Sequence, residues 1–184
     1  MSKNERTLVI IKPDGVERKF IGEVIQRFEK GMLIIKAIKI LNAPQEILEK
    51  HYIDSEEYLR NLGQKSLKTY KEYGIDPISV VGTGDDLEIG RYIRKWLVDF
   101  MMSGPIIPMV LEGNHAVDSV RKIAGNTIPI FADAGTIRGD LSCDSPDLAN
   151  IEKRAVANII HASGTKEEAE SEINLWFSKD EILD

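Results

Sequence analysis

Short apolar runs rich in β-branched residues alternate along the chain with segments whose apolar residues recur at helical spacing. This alternation constrains the fold more than any other feature. The runs typical of strands lie at 7–12, 33–41, 106–111 and 156–160. The segments typical of helices lie at 21–32, 44–54, 89–102, 114–124, 146–155 and 165–177.

With irregular stretches set aside, the order of elements is β-α-β-α-β-α-β-α. This order favours an α+β fold, a ferredoxin-like sandwich with helices packed on one face of a four-stranded antiparallel sheet. A flavodoxin-like parallel sheet is the competing arrangement. Periodicity weakens from 55 to 90, apart from a partly helical stretch at 65–73, and we interpret this region as an insertion over the core. The length of 184 residues suits one domain spanning 1–184.

Charge and composition exclude several classes of protein. The chain has 24 Lys and Arg against 30 Asp and Glu, a net charge of −6, which opposes binding to DNA, RNA or an anionic membrane. Any anionic ligand must therefore be held by a few basic groups gathered in one place. The single cysteine, Cys143, excludes an intrachain disulfide, and no apolar stretch approaches the ~18 residues of a membrane span. We expect a soluble cytoplasmic protein.

The common phosphate-binding and metal-binding patterns are missing from the sequence. No GxxxxGK[ST] string occurs. Residues 79–87 combine an apolar run, read as a strand, with two glycines, but Leu87 takes the place of the third glycine of a dinucleotide-binding loop. We interpret that stretch as a turn before a helix. His51 and His115 are interpreted as surface or capping residues, and three scattered histidines with one cysteine predict no protein metal site.

His161 has more informative surroundings. It ends a predicted strand, and Thr165 with Glu168 forms a capping box that starts the last helix. That helix has an apolar stripe at Ala169, Ile173 and Trp176. Glu172 shares the face of the stripe, where an unpaired carboxylate is costly to bury. It either orients the imidazole of His161, as an acid does in a catalytic triad, or reaches solvent at the edge of the stripe.

Three basic residues are candidates for holding an anion. Lys12 ends the first strand, and Arg121 lies beside apolar residues of its helix, so its stem is expected to be half-buried. Arg138 lies between glycines that permit close approach of a ligand. Arginine matches phosphate oxygens in a bidentate manner and lysine supplies a point charge. Each one alone is typical of a surface residue, and spacing does not show that they converge.

Several strings along the chain form a recognisable set: TLVIIKPDGV at 7–16, HY at 51–52, SGP at 103–105, VLEG at 110–113, GTIRGD at 135–140 and NIIHAS at 158–163. Glu172 follows His161 by eleven residues, and Leu175-Trp176-Phe177 closes the final helix. Together these strings resemble the nucleoside diphosphate kinase family, and the match runs from about residue 4 to 177.

The resemblance implies a ferredoxin-like sandwich and ping-pong transfer of the γ-phosphate from a nucleoside triphosphate to a nucleoside diphosphate. His161 would be the nucleophile, oriented by Glu172 and supported by Ser163. Tyr52 would help to hold Lys12. The residues implied to contact phosphates and sugar are Lys12, Arg121, Thr127, Arg138 and Asn158.

The resemblance also implies Mg²⁺ bridging the β- and γ-phosphate oxygens, held by nucleotide and water rather than by side chains. A homo-oligomer is implied as well. Two other functions are weighed against catalysis. An RNA-binding module of this fold needs sheet aromatics and a basic face, which are missing here. A nucleotide-sensing interaction protein would keep the site without turnover.

Several features depart from the family pattern. Insertions are expected at about 60–90 and 142–155, and the base-stacking aromatic is not carried over, because its register falls on Ile93 or Tyr92. Gly164 stands where the family commonly has Asp. A regular strand would also send Asn158 and His161 to opposite faces, so the chain must bend near His161.

Overall fold

A four-stranded antiparallel sheet forms the centre of the molecule in the computed structural model, which describes residues 5–184. The strands are β1 (Glu5–Ile11), β2 (Ile34–Ile38), β3 (Ile107–Gly113) and β4 (Ile160–Ala162). Their order in the sheet is β2-β3-β1-β4, and every neighbouring pair is antiparallel. The predicted ferredoxin-like sheet is confirmed, and the parallel alternative is wrong.

The helices surround this sheet. They are α1 (Pro13–Glu17), α2 (Ile21–Lys30), α3 (Gln45–His51), α4 (Glu56–Tyr73), α5 (Pro77–Val81), α6 (Asp86–Met102), α7 (Ala116–Ala124), α8 (Ile137–Leu141), α9 (Pro146–Ile151) and α10 (Lys166–Trp176). Short 3₁₀ turns occur at Pro129–Phe131 and Lys179–Glu181. Within residues 5–184, no helix combines the length and apolar character needed to cross a bilayer.

Helices cover both faces of the sheet, so the expectation of one covered face is wrong. Val9 and Ile11 of β1 pack in a cluster with α2 and α7, whereas Leu8 and Ile10 pack in a second cluster with α3, α6 and α10. All four side chains are fully buried. An uninterrupted apolar run is what a strand buried on both faces requires, because neither set of alternate side chains meets water.

The first insertion is more helical than its sequence pattern predicts. Helix α4 is continuous where only 65–73 was expected to be helical, and residues 77–81 form α5. The interpretation of residues 79–87 as a turn before a helix is confirmed, since residues 82–85 connect α5 to α6, but the apolar run before the turn is helical rather than a strand. A Cβ at Gly63 would lie 1.8 Å from the Asp86 carbonyl oxygen, and one at Gly90 would lie 1.9 Å from the Leu59 carbonyl oxygen. The two glycines thus let the backbones of α4 and α6 touch.

The last strand is displaced from its predicted position. Residues 156–159 approach the sheet without joining it, and pairing with β1 begins at Ile160. Ile159 has φ +68°, and the Ile160 N–H donates to the Asn158 carbonyl oxygen at 2.7 Å. This γ-turn interrupts the strand that the apolar run predicts. His161 consequently lies in the middle of β4 rather than at the end of a strand.

Candidate active site

His161 and Glu172 form the hydrogen-bonded pair at the centre of the site. The Nε2 atom of His161 lies 2.8 Å from Oε1 and 3.0 Å from Oε2 of Glu172. The Ser163 hydroxyl donates to Oε2 at 2.6 Å. Burial, with the nearby Lys12 charge, lowers the pKa of His161 to about 3, and burial raises the pKa of Glu172. The imidazole is therefore neutral near pH 7. With its N–H on Nε2 facing the carboxylate, the free lone pair is on Nδ1.

His51 belongs to the same cluster, and its interpretation as a surface or capping residue is wrong. Its side chain is only 1% exposed, its ring centroid lies 4.6 Å from that of His161, and Nδ1 lies 3.4 Å from Glu172 Oε1. The Trp176 indole donates to the same Nδ1 at 3.3 Å. Burial lowers the pKa of His51 to about 3. The available signal was helical spacing, since His51 follows the fully buried Leu48 by three positions.

A cavity of about 360 Å³ opens in front of His161. Five of the predicted residues line it together with His161: Lys12, Tyr52, Thr127, Arg138 and Asn158. Arg121 lines a neighbouring cavity of about 210 Å³, which also touches Thr127 and Arg138. The fold thus brings the predicted ligand-binding residues to two adjoining cavities, with Glu172 and Ser163 placed behind the imidazole.

Lys12 is the most buried of the cations in this cavity. Its side chain donates to Asn158 Oδ1 at 2.7 Å, and its ammonium lies 5.7 Å from the centre of the Phe100 ring. Burial, together with the charge of Arg138, lowers the pKa of Lys12 to about 8, while the nearby Asp14 opposes that shift. An ammonium in such surroundings is poorly solvated, so an anionic ligand would gain strongly from pairing with it.

Arg138 is held by backbone carbonyl groups. It lies in α8, whose first turn is capped by the Thr136 hydroxyl. Its guanidinium donates to the carbonyl oxygens of Asn158, Gly125 and Ile160 at 3.3, 2.9 and 2.8 Å. Burial, with the charge of Arg121, lowers the pKa of Arg138 to about 10. These bonds use three of its five N–H groups, and the others remain for a ligand.

Arg121 lies on α7 and is exposed as a whole residue. The half-buried stem expected from the sequence stays a prediction. Exposure suits a guanidinium at the mouth of a cavity, where it can meet an incoming anion before the ligand loses its water.

The γ-turn at Ile159 explains how Asn158 and His161 reach the same cavity, although a regular strand would direct them to opposite faces. Asn158 directs Oδ1 to Lys12 and donates from Nδ2 to the Thr127 carbonyl oxygen at 2.8 Å. Both Asn158 and His161 line the same cavity. The bend expected near His161 is therefore present, two residues before it.

Both predicted insertions contribute to the wall of the cavity, through Tyr70 of α4 and Asn150 of α9 among others. Outside the insertions, Ile93 and Trp96 of α6 line it, whereas Tyr92 lines a different cavity beside α5. The Tyr70 hydroxyl of α4 donates to Asn150 Oδ1 of α9 at 3.2 Å, which ties the two insertions together. The sequence analysis did not identify Trp96, because the family pattern places the base-stacking aromatic at Ile93 or Tyr92 instead.

The turn after Ser163 uses Gly164 in a specific way. The Thr165 hydroxyl accepts from the Glu168 N–H at 3.2 Å, but the Glu168 carboxylate accepts from the Gly164 N–H at 2.8 Å, one residue before the cap. Only half of the predicted capping box is therefore formed. A Cβ at Gly164 would lie 2.6 Å from Glu168 Oε2, so the carboxylate of Glu168 occupies the space that a side chain at 164 would need.

Comparison with known proteins identifies relatives of this chain. The family described as nucleoside diphosphate kinase matches residues 5–65 and 90–182. A nucleoside diphosphate kinase of Pyrobaculum aerophilum is 54% identical over 180 residues, covering 98% of both chains, and nucleoside diphosphate kinase A of Canis lupus familiaris is 34% identical over 184 residues, covering 100% of this chain and 93% of its own.

Solved structures lead to the same family. The crystal structure of the Pyrobaculum aerophilum NDP kinase has a TM-score of 0.95 and 51% identity, covering 99% of this chain and 100% of that one. A transition-state mimic of the Borrelia burgdorferi nucleoside-diphosphate kinase with bound vanadate and ADP has a TM-score of 0.76 and 33% identity, covering 98% and 91%. Similarity at this level, in sequence and in structure, extends over nearly the whole length of each chain. The chain therefore belongs to the nucleoside diphosphate kinase family.

Proposed function

We propose that this chain transfers the γ-phosphate of a nucleoside triphosphate to a nucleoside diphosphate by a ping-pong mechanism, and so maintains nucleotide pools. The observation that carries the proposal is the Glu172 carboxylate on Nε2 of His161, which leaves a lone pair on Nδ1 of a neutral imidazole. The test is a brief incubation with γ-labelled ATP. A phosphoenzyme that is labile in acid and stable in alkali supports the proposal. A protein that binds nucleotide without becoming labelled would instead be a nucleotide sensor.

In the first half-reaction, Nδ1 of His161 attacks the γ-phosphorus, the bond to the bridging oxygen breaks, and the nucleoside diphosphate leaves. The ring then carries positive charge, and the Nε2–H bond to Glu172 stabilises it. A second nucleoside diphosphate attacks the phosphohistidine through its terminal oxygen, and the neutral imidazole returns. Phosphoryl transfer depends mainly on positioning and charge stabilisation, which the surrounding side chains are placed to supply.

The roles of the cavity residues follow from their charge and position. Lys12 and Arg138 would stabilise negative charge on the transferring group, and Arg121 would bind the remaining phosphates from the adjoining cavity. Three further residues would contact the sugar and phosphates through their polar groups or shape the wall of the cavity beside the ligand. They are Thr127, Asn158 and Tyr52.

Mg²⁺ fits this site as part of the nucleotide. The cavity presents cationic and amide groups, whereas Mg²⁺ prefers oxygen ligands. Among the described residues, His51, His161 and Glu172 offer ligand atoms within 4.8 Å of one another, but two imidazoles with one carboxylate suit a softer metal, and these groups already pair with each other. We propose that Mg²⁺ is held by the phosphates rather than by side chains, where it would neutralise charge on the β- and γ-oxygens.

The pH dependence of kcat/KM is expected to be flat from about pH 5 to 7.5 and to fall above pH 8. His161 remains neutral on the acid side, while Lys12 of the ligand-free enzyme, with its pKa of about 8, loses its proton on the alkaline side.

The same group affects stability. The pKa of Lys12 in the folded protein lies below the usual 10.5, so between these two values the unfolded chain binds more protons than the folded chain. The contribution of Lys12 to the free energy of unfolding therefore rises with pH, whereas kcat/KM falls. Initial rates measure kcat/KM and melting temperatures measure stability, both from pH 5 to 10, and constant kcat/KM up to pH 10 would contradict the role of Lys12.

We propose further that the protein is a single-domain cytoplasmic homo-oligomer whose subunits meet at the edge strand β2. Ile34 and Ile38 are 57% and 46% exposed, and Ile40, just after the strand, is 64% exposed. At the edge of the sheet, these exposed isoleucines offer apolar area to another copy. The cytoplasmic location is supported by the single cysteine, which a reducing compartment keeps as a thiol.

Ile38→Lys is expected to shift the protein to a smaller species, because a charge at the subunit contact would be buried without a partner. Light scattering after size-exclusion chromatography measures the mass. Ile78→Lys is the matched control, since Ile78 is 63% exposed on α5. A parent protein that is already monomeric, or an Ile38→Lys variant of unchanged oligomeric mass, would contradict the proposed interface.

A further inference from the structure

The turn that presents His161 is held in an unfavourable backbone conformation. Ile159 is fully buried and has φ +68°, in the left-handed region that β-branched residues avoid. Such a conformation costs on the order of 1–3 kcal/mol and persists only where its surroundings impose it. The contacts of the Ile159 peptide groups therefore determine whether Asn158 and His161 reach the same cavity.

Both polar groups of Ile159 are bound by the segment that begins with Lys12. The Ile159 N–H donates to Asp14 Oδ2 at 3.0 Å, and its carbonyl oxygen accepts from the Lys12 N–H at 2.8 Å. Gly15 completes the contact, because a Cβ there would lie 3.1 Å from the Ile159 carbonyl oxygen. Asp14 thus supplies the one side chain that bonds directly to the backbone N–H of the strained residue.

Asp14 is buried in a way that packing alone does not require. It is 9% exposed, and its other oxygen, Oδ1, has no hydrogen-bond partner among residues 5–184. A buried carboxylate with one oxygen unpaired is costly, and a neutral acceptor such as asparagine could also bond the Ile159 N–H. The negative charge is the property that such a residue would lack.

The charge of Asp14 acts on Lys12. The groups that face the Lys12 ammonium are the Arg138 guanidinium and the His161 and His51 imidazoles, with the amide oxygen of Asn158 as hydrogen-bond acceptor. Arg138 disfavours the charged ammonium and both histidines are neutral, so Asp14 is the charged group that favours it, in addition to the hydrogen bond with the neutral Asn158 amide. One carboxylate therefore holds the turn before the nucleophile and also keeps the neighbouring cation charged.

We propose that Asp14 is a positioning residue for phosphoryl transfer, fixing the Ile159 turn through Oδ2 and placing a negative charge near the buried Lys12. The proposal rests on the function proposed above for His161. It assigns Asp14 no contact with substrate, so its removal should slow the chemical step more than it weakens nucleotide binding.

Two substitutions separate the two effects. Asp14→Asn keeps an acceptor for the Ile159 N–H but removes the charge, so its alkaline loss of kcat/KM should begin at lower pH than in the parent. Asp14→Ala removes both, and misplacement of the nucleophile should slow phosphoenzyme formation about 100-fold with little change in KM. Glu17→Gln, an exposed change on the same helix, is the matched control and should keep the parent rate and pH profile.

The measurements are the single-turnover rate of phosphoenzyme formation, the pH profile of kcat/KM, and amide hydrogen exchange at Ile159. Faster exchange in Asp14→Ala but not in Asp14→Asn supports the hold on the turn, and this readout does not depend on turnover. An unlabelled parent would overturn the proposed function, whereas a labelled parent with Asp14→Ala at the parent rate would overturn the role of Asp14. If Asp14→Ala does not fold, Asp14→Asn decides alone, and an unshifted pH profile would refute the electrostatic role.

Discussion

His161→Ala is expected to abolish both the phosphoenzyme and the transfer of phosphate between nucleotides. No other nucleophile is needed by the proposed mechanism, and the lone pair on Nδ1 disappears with the ring. Loss of an activated nucleophile of this kind typically removes most of an enzyme's rate enhancement. Incubation with γ-labelled ATP, followed by transfer to a second diphosphate, measures the two half-reactions separately.

His115→Ala is the matched control for this experiment. His115 is exposed before α7, outside the cavities that contain His161, and its loss should leave labelling and transfer unchanged. Binding of nucleotide to His161→Ala should persist, because the cationic side chains remain. Turnover by the alanine variant, or acid-labile label on another residue, would show that His161 is not the carrier.

Lys12→Met is expected to reduce kcat/KM by about 10²–10³-fold. That is the typical cost of removing one charged or hydrogen-bonding group from a preorganised site that stabilises transition-state charge. Lys30→Met, an exposed substitution on α2, should leave kcat/KM unchanged. A loss of less than tenfold for Lys12→Met would contradict the assigned role.

The stability of Lys12→Met provides a second readout. The substitution removes an ammonium whose pKa burial has lowered, and methionine fills a similar volume, so the free energy of unfolding should change little despite the bond lost to Asn158 Oδ1. A large fall in activity without unfolding would separate a role in catalysis from a role in folding. Chemical denaturation of both lysine variants measures the difference.

Elements with strong local patterns were predictable from the sequence. Strand β1 contains the apolar run 8–11 and ends shortly before Pro13, α2 has a clear amphipathic period, and α10 begins at a capping residue. The partnership of Glu172 with His161 was one of two open alternatives, since helical spacing places the carboxylate on the apolar face without showing what it meets. The geometry now places the two side chains in hydrogen-bond contact.

The remaining features depend on contacts between distant segments. The γ-turn at Ile159 contradicts the preference of its own residue, because Asp14 and Lys12 impose it from the other end of the chain. Helix α4 contains many charged residues and Gly63, so its periodicity was weak and only 65–73 was predicted to be partly helical, whereas its packing on α6 accounts for the full helix. The burial of His51 likewise arises only when α3 packs beside α10.

The contact of α4 with α6 through Gly63 and Gly90 has a consequence for how such a chain can change in length. The family match stops at residue 65 and resumes at 90, close to the two glycines where the helices touch. Residues 66–89 therefore extend the tip of a helical hairpin whose base is fixed by backbone contact. Segments can be added or removed at such a tip while the strands and the imidazole keep their places. The part of the cavity wall that this hairpin forms can therefore change during evolution independently of the catalytic residues.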